Sequence, residues 1–327
     1  MPSAVLDSLV NEVADLYITQ QFKPQLVFHG GEPLLFGIRR LHELVSMLVQ
    51  RVPDISLSIQ TNGTIYNNSL EQLLLEFRSN LTFSVSVDGF QPENDLQRRG
   101  LRQESVYDRI GDTLKRSLQA GVLDNILMVV DIRNDTHRIY QFMVASGSKS
   151  YNILLQDGDH DHLPPGKSFS EETTVGYWLW DLFKIYSAGP QKFRIKFFDD
   201  LSLSLLKKAR GIQTPRSTFS LCTVTIDTNG EIKQADTFRI NSNGADTLTG
   251  QNILTSTIRE NLESPSNKAS VEAMEDLCEK CQSCTYLNVC GGGFPSHRSK
   301  GYNLRNPSIY CADYLHLFER VEKLICQ

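Results

Sequence analysis

Residues 25–36 read QLVFHGGEPLLF. Four residues with a strand's composition run straight into two glycines, a carboxylate and a proline, so a short buried strand must end at about His29 and the chain must turn there. What lies upstream is helical. Val5, Leu9, Val13 and Leu16 fall on one stripe of residues 3–20, the spacing of an amphipathic helix. The same alternation continues downstream. Leu41, Leu44, Val45 and Leu48 form a second stripe before the strand ISLSIQ (55–60) and the turn Thr61-Asn62-Gly63. Ser69 with Gln72 resembles a capping box for the next helix, and LTFSVSVDG (81–89) follows as a strand. A helix from about Ser105 closes at Gly121, a C′ glycine, before the strand NILMVVDI (125–132). Helix and strand come once more at Arg138–Ala145 and Tyr151–Leu155. Strands that alternate with helices of this length pair in parallel through right-handed crossovers, so the fold class is α/β, a barrel or an open sheet. In either, function gathers at the C-terminal ends of the strands, where HGGEP, QTNGT and VDGF stand.

Composition removes several classes of function. The 327 residues carry 33 Lys and Arg against 38 Asp and Glu, a net charge of −5 without a long basic run, which argues against a nucleic-acid groove or an anionic membrane surface. No stretch approaches the roughly 20 apolar residues that span a bilayer. Asp7 and Glu12 interrupt residues 1–13, so this is no secretory signal, and a cytoplasmic location is expected. In that compartment cysteines stay reduced and are read first for metal.

All seven cysteines lie in the last third of the chain: Cys222, Cys278, Cys281, Cys284, Cys290, Cys311 and Cys326. Before them, DGDHDHLPPG (157–166) reads as a polar loop, helical segments span about 177–186 and 200–208, and FRIKFF (193–198) reads as a short strand. CTVTIDTNGEIKQ (222–234) is a hairpin turning at Asn229-Gly230, and 313–325 is a final amphipathic helix. Cys278-x2-Cys281-x2-Cys284-x5-Cys290, with Cys311 further on, is a thiolate set that zinc and an iron–sulfur cluster both accept. Gly291, Gly292 and Gly293 directly after Cys290 allow a tight backbone around a bulky inorganic core and offer it amide donors, which favours iron–sulfur. Cys326 has no nearby partner and is expected to stand apart.

At the strand ends, Gly30 and Gly31 let a ligand lie against the backbone, and Glu32 supplies an anion for an ammonium group. Thr61, Asn62, Ser86 and Asp88 add hydroxyl, amide and carboxylate groups suited to a ribose or an amino-acid moiety. Arg98 or Arg99 offers a partner for a ligand carboxylate.

These residues resemble the radical SAM enzymes that carry a SPASM C-terminal domain. FHGGEPLL (28–35) is similar to their second-strand motif, in which the glutamate side binds the methionyl amine of S-adenosylmethionine; QTNGT and SVSVDG resemble the third and fourth strand ends, which face the cofactor and its ribose. Cys281, Cys284, Cys290 and Cys311 match the SPASM ligands of the outer auxiliary 4Fe-4S cluster. LLQDGDHDHLPPG (154–166) and CGGGFPSHRSKGYNLRNPSIYCADY (290–314) look most like the maturases that form cyclophanes by crosslinking side chains of ribosomal peptides. The resemblance implies a precursor-peptide substrate and an electron donor such as a flavodoxin or ferredoxin.

Two departures from the family pattern stand out. Residues 1–221 contain no cysteine, so the family's CxxxCxxC is not among them, and the resemblance places Met1 at the helix that follows that motif. The expectation is a partial (β/α) barrel without its first strand, from a truncated gene or a natural remnant, with no catalytic cluster and no activity as the chain stands. Second, Ala235 and Phe294 occupy positions where the inner auxiliary cluster has cysteines, leaving Cys222 and Cys278 as its weaker ligands, so one auxiliary cluster is expected. The expected domains are a barrel over 1–165, a helical linker over 166–217 and a SPASM-like domain over 218–327. A scaffold that binds a peptide or a partner enzyme is the alternative function.

Overall fold

The strand read from QLVF is β1 (Gln25–Phe28), and it opens an all-parallel sheet with β2 (Ser56–Thr61), β3 (Leu81–Ser86), β4 (Asn125–Val129), β5 (Ser150–Leu154) and β6 (Arg194–Ile195) in that spatial order. A computed structural model describes residues 1–20, 23–190, 192–212, 223–234, 248–301 and 303–326. Helices α1 (Ser3–Gln20), α2 (Ile38–Arg51), α3 (Asn68–Glu76), the short α4 (Gln91–Asn94), α5 (Tyr107–Gln119) and α6 (Thr136–Ser146) alternate with the strands. Strand order that equals chain order through helical crossovers is the arrangement of a partial (β/α) barrel. The register runs Phe28 to Ile59 to Phe83, and Thr61 to Val85 to Ile126, so the strands finish side by side.

Leu41, Leu44, Val45 and Leu48 of α2, Leu70, Leu73 and Leu74 of α3, and Ile139, Phe142 and Met143 of α6 are buried with Leu57, Ile59, Phe83, Val85, Ile126 and Met128 of the strands. Each such side chain contributes about 1.5–3 kcal/mol of hydrophobic stabilisation. β1 is an edge strand, and Val27 on it is 42% exposed.

The chain forms two compact units. One comprises Met1–Val130, His137–Leu154 and Pro190–Lys196, and the other Asp131–Thr136, Leu155–Gly189 and Phe197–Gln327. The second unit contains α7 (Thr174–Ala188), α8 (Lys196–Ala209) from Phe197 on, an antiparallel sheet of β7 (Val224–Ile226), β8 (Glu231–Gln234) and β9 (Leu248–Asn252), then α9 (Ile258–Glu263), α10 (Pro265–Glu275), α11 (Glu279–Gln282), α12 (Leu287–Cys290) and α13 (Cys311–Ile325). Lys167 and Asp313, both with fully buried side chains, form an ion pair at 2.7 Å, and Asp313 also accepts from the Gly176 amide at 2.8 Å. Through these contacts Asp313 ties Lys167 and the first turn of α7 to the first turn of α13.

Three local expectations need correction. The cap of α3 is Asn67, whose side chain accepts from the Leu70 amide, while Ser69 lies inside the helix. FRIKFF yields only the two-residue β6, because Phe198 is buried on α8 with Leu201 and Leu205 in helical spacing. The segment expected as a linker supplies α7 and α8, whose Phe183 and Phe198 rings meet edge to face at 5.2 Å inside the second unit. Among the described residues no helix is long and apolar enough to cross a membrane.

Candidate functional site

Gly30 and Gly31 turn the chain out of β1 with φ of +82° and +24°, and the space where a Cβ would stand is open at both. The turn delivers Glu32, which caps a 3-10 turn over Pro33–Phe36. Its Oε1 accepts from the Leu34 amide at 3.0 Å and from the Thr61 hydroxyl at 2.8 Å, and its Oε2 accepts from the Asn62 amide at 2.8 Å. A carboxylate oxygen has room for about two donors, so Oε2 keeps a lone pair for an incoming ammonium. Thr61 Oγ1 in turn accepts from the Gly63 amide at 3.1 Å, and the Gly63 carbonyl accepts from Thr113 of α5 at 2.7 Å. The Asn62 side chain accepts from both donors of Thr64 and so shapes its own turn.

Ser86, half-buried, lies one residue past Val85, the strand partner of Thr61. Gly30, Gly31, Glu32, Thr61, Asn62 and Ser86 thus share one end of the sheet. Asp88 and Arg98 are differently disposed from the expectation of free ligand-binding groups. Buried Asp88 receives both Nε (2.6 Å) and Nη2 (3.0 Å) of Arg98 and the Val129 amide at 2.9 Å. The pair forms because α4 returns Arg98 to the end of β3, and it occupies the guanidinium internally. Arg99 is exposed and donates to the Asp95 carbonyl.

The cysteine segment is built from turns. Cys278 caps α11, Cys281 lies on it, Cys290 ends α12, and Cys311 opens α13. Gly291, Gly292 and Gly293 all have positive φ, from +65° to +89°, a run that residues with a Cβ adopt only with strain. Burial pushes the Cys281 thiol up to about 12, helped by its hydrogen bond with Cys278 and by the nearby Cys311 and Cys290. Burial likewise lifts Cys290 to about 11, with Cys311 and Cys284 adding to the rise and the backbone of Gly292 and Gly293 opposing it; the Gly293 amide itself donates to the Cys290 carbonyl at 3.0 Å. Cys311 is raised by burial too, and Lys280 opposes the shift. The Tyr286 amide donates to the Cys284 sulfur at 3.4 Å. Cys278, Cys281, Cys284, Cys290 and Cys311 are therefore electrostatic neighbours, with a backbone donor already aimed at the Cys284 sulfur. An amide donor and several buried or half-buried thiols that repel one another as thiolates suit a cationic iron–sulfur core, which relieves that repulsion.

All six described cysteines are free, and Cys326 is exposed at the end of α13. Cys222 and Ala235 lie outside the described residues. In the loop over 157–162 only Asp159 has a buried polar side chain, accepting from the amides of Asp161 and His162; His160 contacts the Pro307 carbonyl at 2.8 Å, Asp161 accepts from the Gly301 amide, and Asp157 and His162 are exposed. Among the described residues no three His, Cys, Asp or Glu side chains converge as a single bound ion requires.

The family model of the Radical SAM superfamily matches residues 2–163. These residues match a radical SAM domain, of the kind whose cofactors are S-adenosylmethionine and iron–sulfur clusters. Among curated relatives, the serine-type anaerobic sulfatase-maturating enzyme of Klebsiella aerogenes is 24% identical over 315 residues, covering 90% of this chain and 71% of the relative. Its counterpart from Klebsiella pneumoniae is 24% identical over 311 residues, covering 90% and 73%. Among solved structures, native anSMEcpe with bound AdoMet and Cp18Cys peptide has the same fold, with a TM-score of 0.84 at 21% identity over 100% of this chain and 91% of that one. Streptococcus suis SuiB bound to the precursor peptide SuiA superposes with a TM-score of 0.60 at 15% identity, over 92% and 68%.

Proposed function

We propose that this chain is a radical SAM/SPASM peptide maturase, or a portion of one, that crosslinks side chains of a ribosomally made precursor peptide. The observation that carries the reading is the thiol set of Cys281, Cys284, Cys290 and Cys311 with the glycine run after Cys290, in a chain that also has a radical SAM sheet. The crosslinking assignment is supported by the resemblance of residues 154–166 and 290–314 to the cyclophane-forming group, and by the likeness in fold to a protein solved with its precursor peptide.

In this reading Gly30 and Gly31 present bare backbone to S-adenosylmethionine, and Oε2 of Glu32 holds its ammonium. Thr61 and the Asn62 amide keep that carboxylate in place, and the Asp88–Arg98 pair fixes the end of β3. When bound and reduced, S-adenosylmethionine supplies the 5′-deoxyadenosyl radical. The four outer thiols hold one auxiliary 4Fe-4S cluster, and a cytoplasmic flavodoxin or ferredoxin is the electron source. Residues 1–221 offer no thiolate for a catalytic cluster, so no step is derived through one. The second reading is a non-catalytic scaffold that binds a precursor peptide or partner enzyme.

Anaerobic purification followed by iron and sulfide analysis and an absorption spectrum tests the cluster, which is brown where a zinc site is colourless. Equilibrium dialysis with S-adenosylmethionine tests the Glu32 turn. A precursor peptide and a sulfatase-derived peptide, incubated with the protein under reducing conditions and sequenced by mass spectrometry, then distinguish crosslinking, sulfatase maturation and scaffolding. A colourless protein that fails to bind S-adenosylmethionine would sink the assignment.

A further inference from the structure

Arg298 is among the largest fully buried side chains of the protein, 1% exposed. It ends the 3-10 turn Ser296–Arg298, which follows the glycines after Cys290. The stretches that hold the turn are those that carry the cysteines. Its Nη2 donates to the carbonyl of Met274 at 2.6 Å, four residues ahead of Cys278. The carbonyl of neighbouring His297 accepts from the Ile309 amide at 2.9 Å, two residues ahead of Cys311, and Asn306 donates to the Arg298 carbonyl at 3.1 Å.

A guanidinium carries five N–H donors and is always charged. Here Nε and Nη1 are buried and have no hydrogen-bond partner among the described residues. A cation so placed is costly by several kcal/mol unless charge or acceptors answer it. The groups whose negative charge would answer it are Cys281, Cys278 and Cys290 when ionised, followed by Asp276, and Asp276 is itself exposed and within 3.5 Å of Arg305. Burial disfavours the charged form of Arg298, and the three sulfurs are the groups that most favour it. As thiols they are neutral; holding a cluster, Cys281 and Cys290 are thiolates, and a cluster on four thiolates carries a net negative charge. The buried cation and its unused donors are thus complementary to the loaded site.

We infer that Arg298 is the counter-ion of the cluster held by Cys281, Cys284, Cys290 and Cys311, donating its free Nε and Nη1 protons to cluster sulfur and stabilising the reduced state. The inference rests on the auxiliary-cluster reading above. Reduction adds one electron, taken from dithionite in the test below, and increases the negative charge by one. A fixed cation favours that form over the oxidised one.

The measurement is the cluster midpoint potential, by dithionite titration monitored by electron paramagnetic resonance, in the wild-type chain, Arg298→Met and Arg298→Lys, with iron and sulfide counted in each. We expect Arg298→Met to make reduction at least tenfold less favourable, about 59 mV more negative for a one-electron couple, and Arg298→Lys to shift it less. Loss of iron from Arg298→Met with retention in Arg298→Lys also supports the assignment, because charge is then what the cluster needs. An unchanged potential in an iron-replete Arg298→Met overturns it, as does loss of iron from both variants, which makes the guanidinium's shape the requirement. A wild-type chain without iron–sulfur absorption overturns the cluster reading first and this inference with it.

Discussion

Replacing Glu32 with glutamine keeps the side chain's size but turns one acceptor oxygen into a donor. Leu34, Thr61 and Asn62 all donate to the carboxylate, so either orientation of the amide sets N–H against N–H or O–H. We expect Glu32→Gln to destabilise the protein by about 1–3 kcal/mol, read by urea unfolding, and to abolish S-adenosylmethionine binding in dialysis; full retention of binding would remove Glu32 from the site. Arg98→Met leaves buried Asp88 with only the Val129 amide and is expected to cost about 3 kcal/mol. Glu32 was legible in the sequence because a carboxylate between two glycines and a proline has few structural uses. Arg98 was not, since its partner is set by the path of α4 rather than by periodicity. Arg298 was hidden more deeply: in PSHRSK it reads as a surface charge, and only the return of residues 306–311 against the turn buries it.

Between residues and the fold stand the caps and close approaches that hold elements together. Gly176 of α7 packs so tightly on α13 that a Cβ there would lie 2.6 Å from the Asp313 carbonyl oxygen and 2.9 Å from its Cα. Backbone atoms cannot step aside as a flexible side chain does, so Gly176→Ala is expected to destabilise by about 1–3 kcal/mol, lowering the thermal midpoint. Near the other end of α13, Glu322 accepts from Lys208 of α8 at 2.7 Å and from the Tyr286 hydroxyl at 2.6 Å. Burial raises its carboxyl, but those two hydrogen bonds outweigh burial and hold it below its ordinary 4.5. A carboxylate with a depressed folded value stabilises the protein above the unfolded value and loses that contribution as the pH falls through the folded one. The stability gap between wild type and Glu322→Gln, about 1 kcal/mol at neutral pH, should close as acidification passes below 4.5; a gap constant with pH would exclude the ion pair as its source. At this scale the long amphipathic helices and the strands were readable from their periods. Missed were α9 and α10, although Thr257 and Glu260 form a reciprocal capping box at the start of α9. Its signal was plain, but the weakly apolar stretch after it gave no stripe to attach it to. The two-residue β6 was overextended because Phe197 and Phe198 are equally at home on a strand and on the helix that claims them.

At the scale of the molecule, iron is expected to matter unevenly. Each of α11 and α12 has only four residues, too few to persist without tertiary support, and the thiols around them are buried (Cys281) or half-buried (Cys278, Cys284, Cys290 and Cys311). Stripping the cluster with a chelator should therefore raise amide exchange over residues 278–311 and leave the β1–β5 amides protected, as hydrogen exchange read by mass spectrometry would show. Uniform deprotection of both would mean that the metal supports the sheet as well. The same division governs activity. Reductive cleavage of S-adenosylmethionine needs an iron with an open coordination position near the cofactor's amine. The sheet that carries Glu32 has no cysteine in residues 1–221 to hold such an iron, and a cluster on Cys281, Cys284, Cys290 and Cys311 has all four positions filled by thiolates. This 327-residue chain, reconstituted with iron and sulfide and reduced with dithionite, should hold about four iron atoms. It should give no 5′-deoxyadenosine above background by liquid chromatography, while a chain extended upstream by a segment with CxxxCxxC should turn over. Production of 5′-deoxyadenosine by the 327 residues alone would assign catalysis to the C-terminal cysteines, and the division of labour argued above would be reversed.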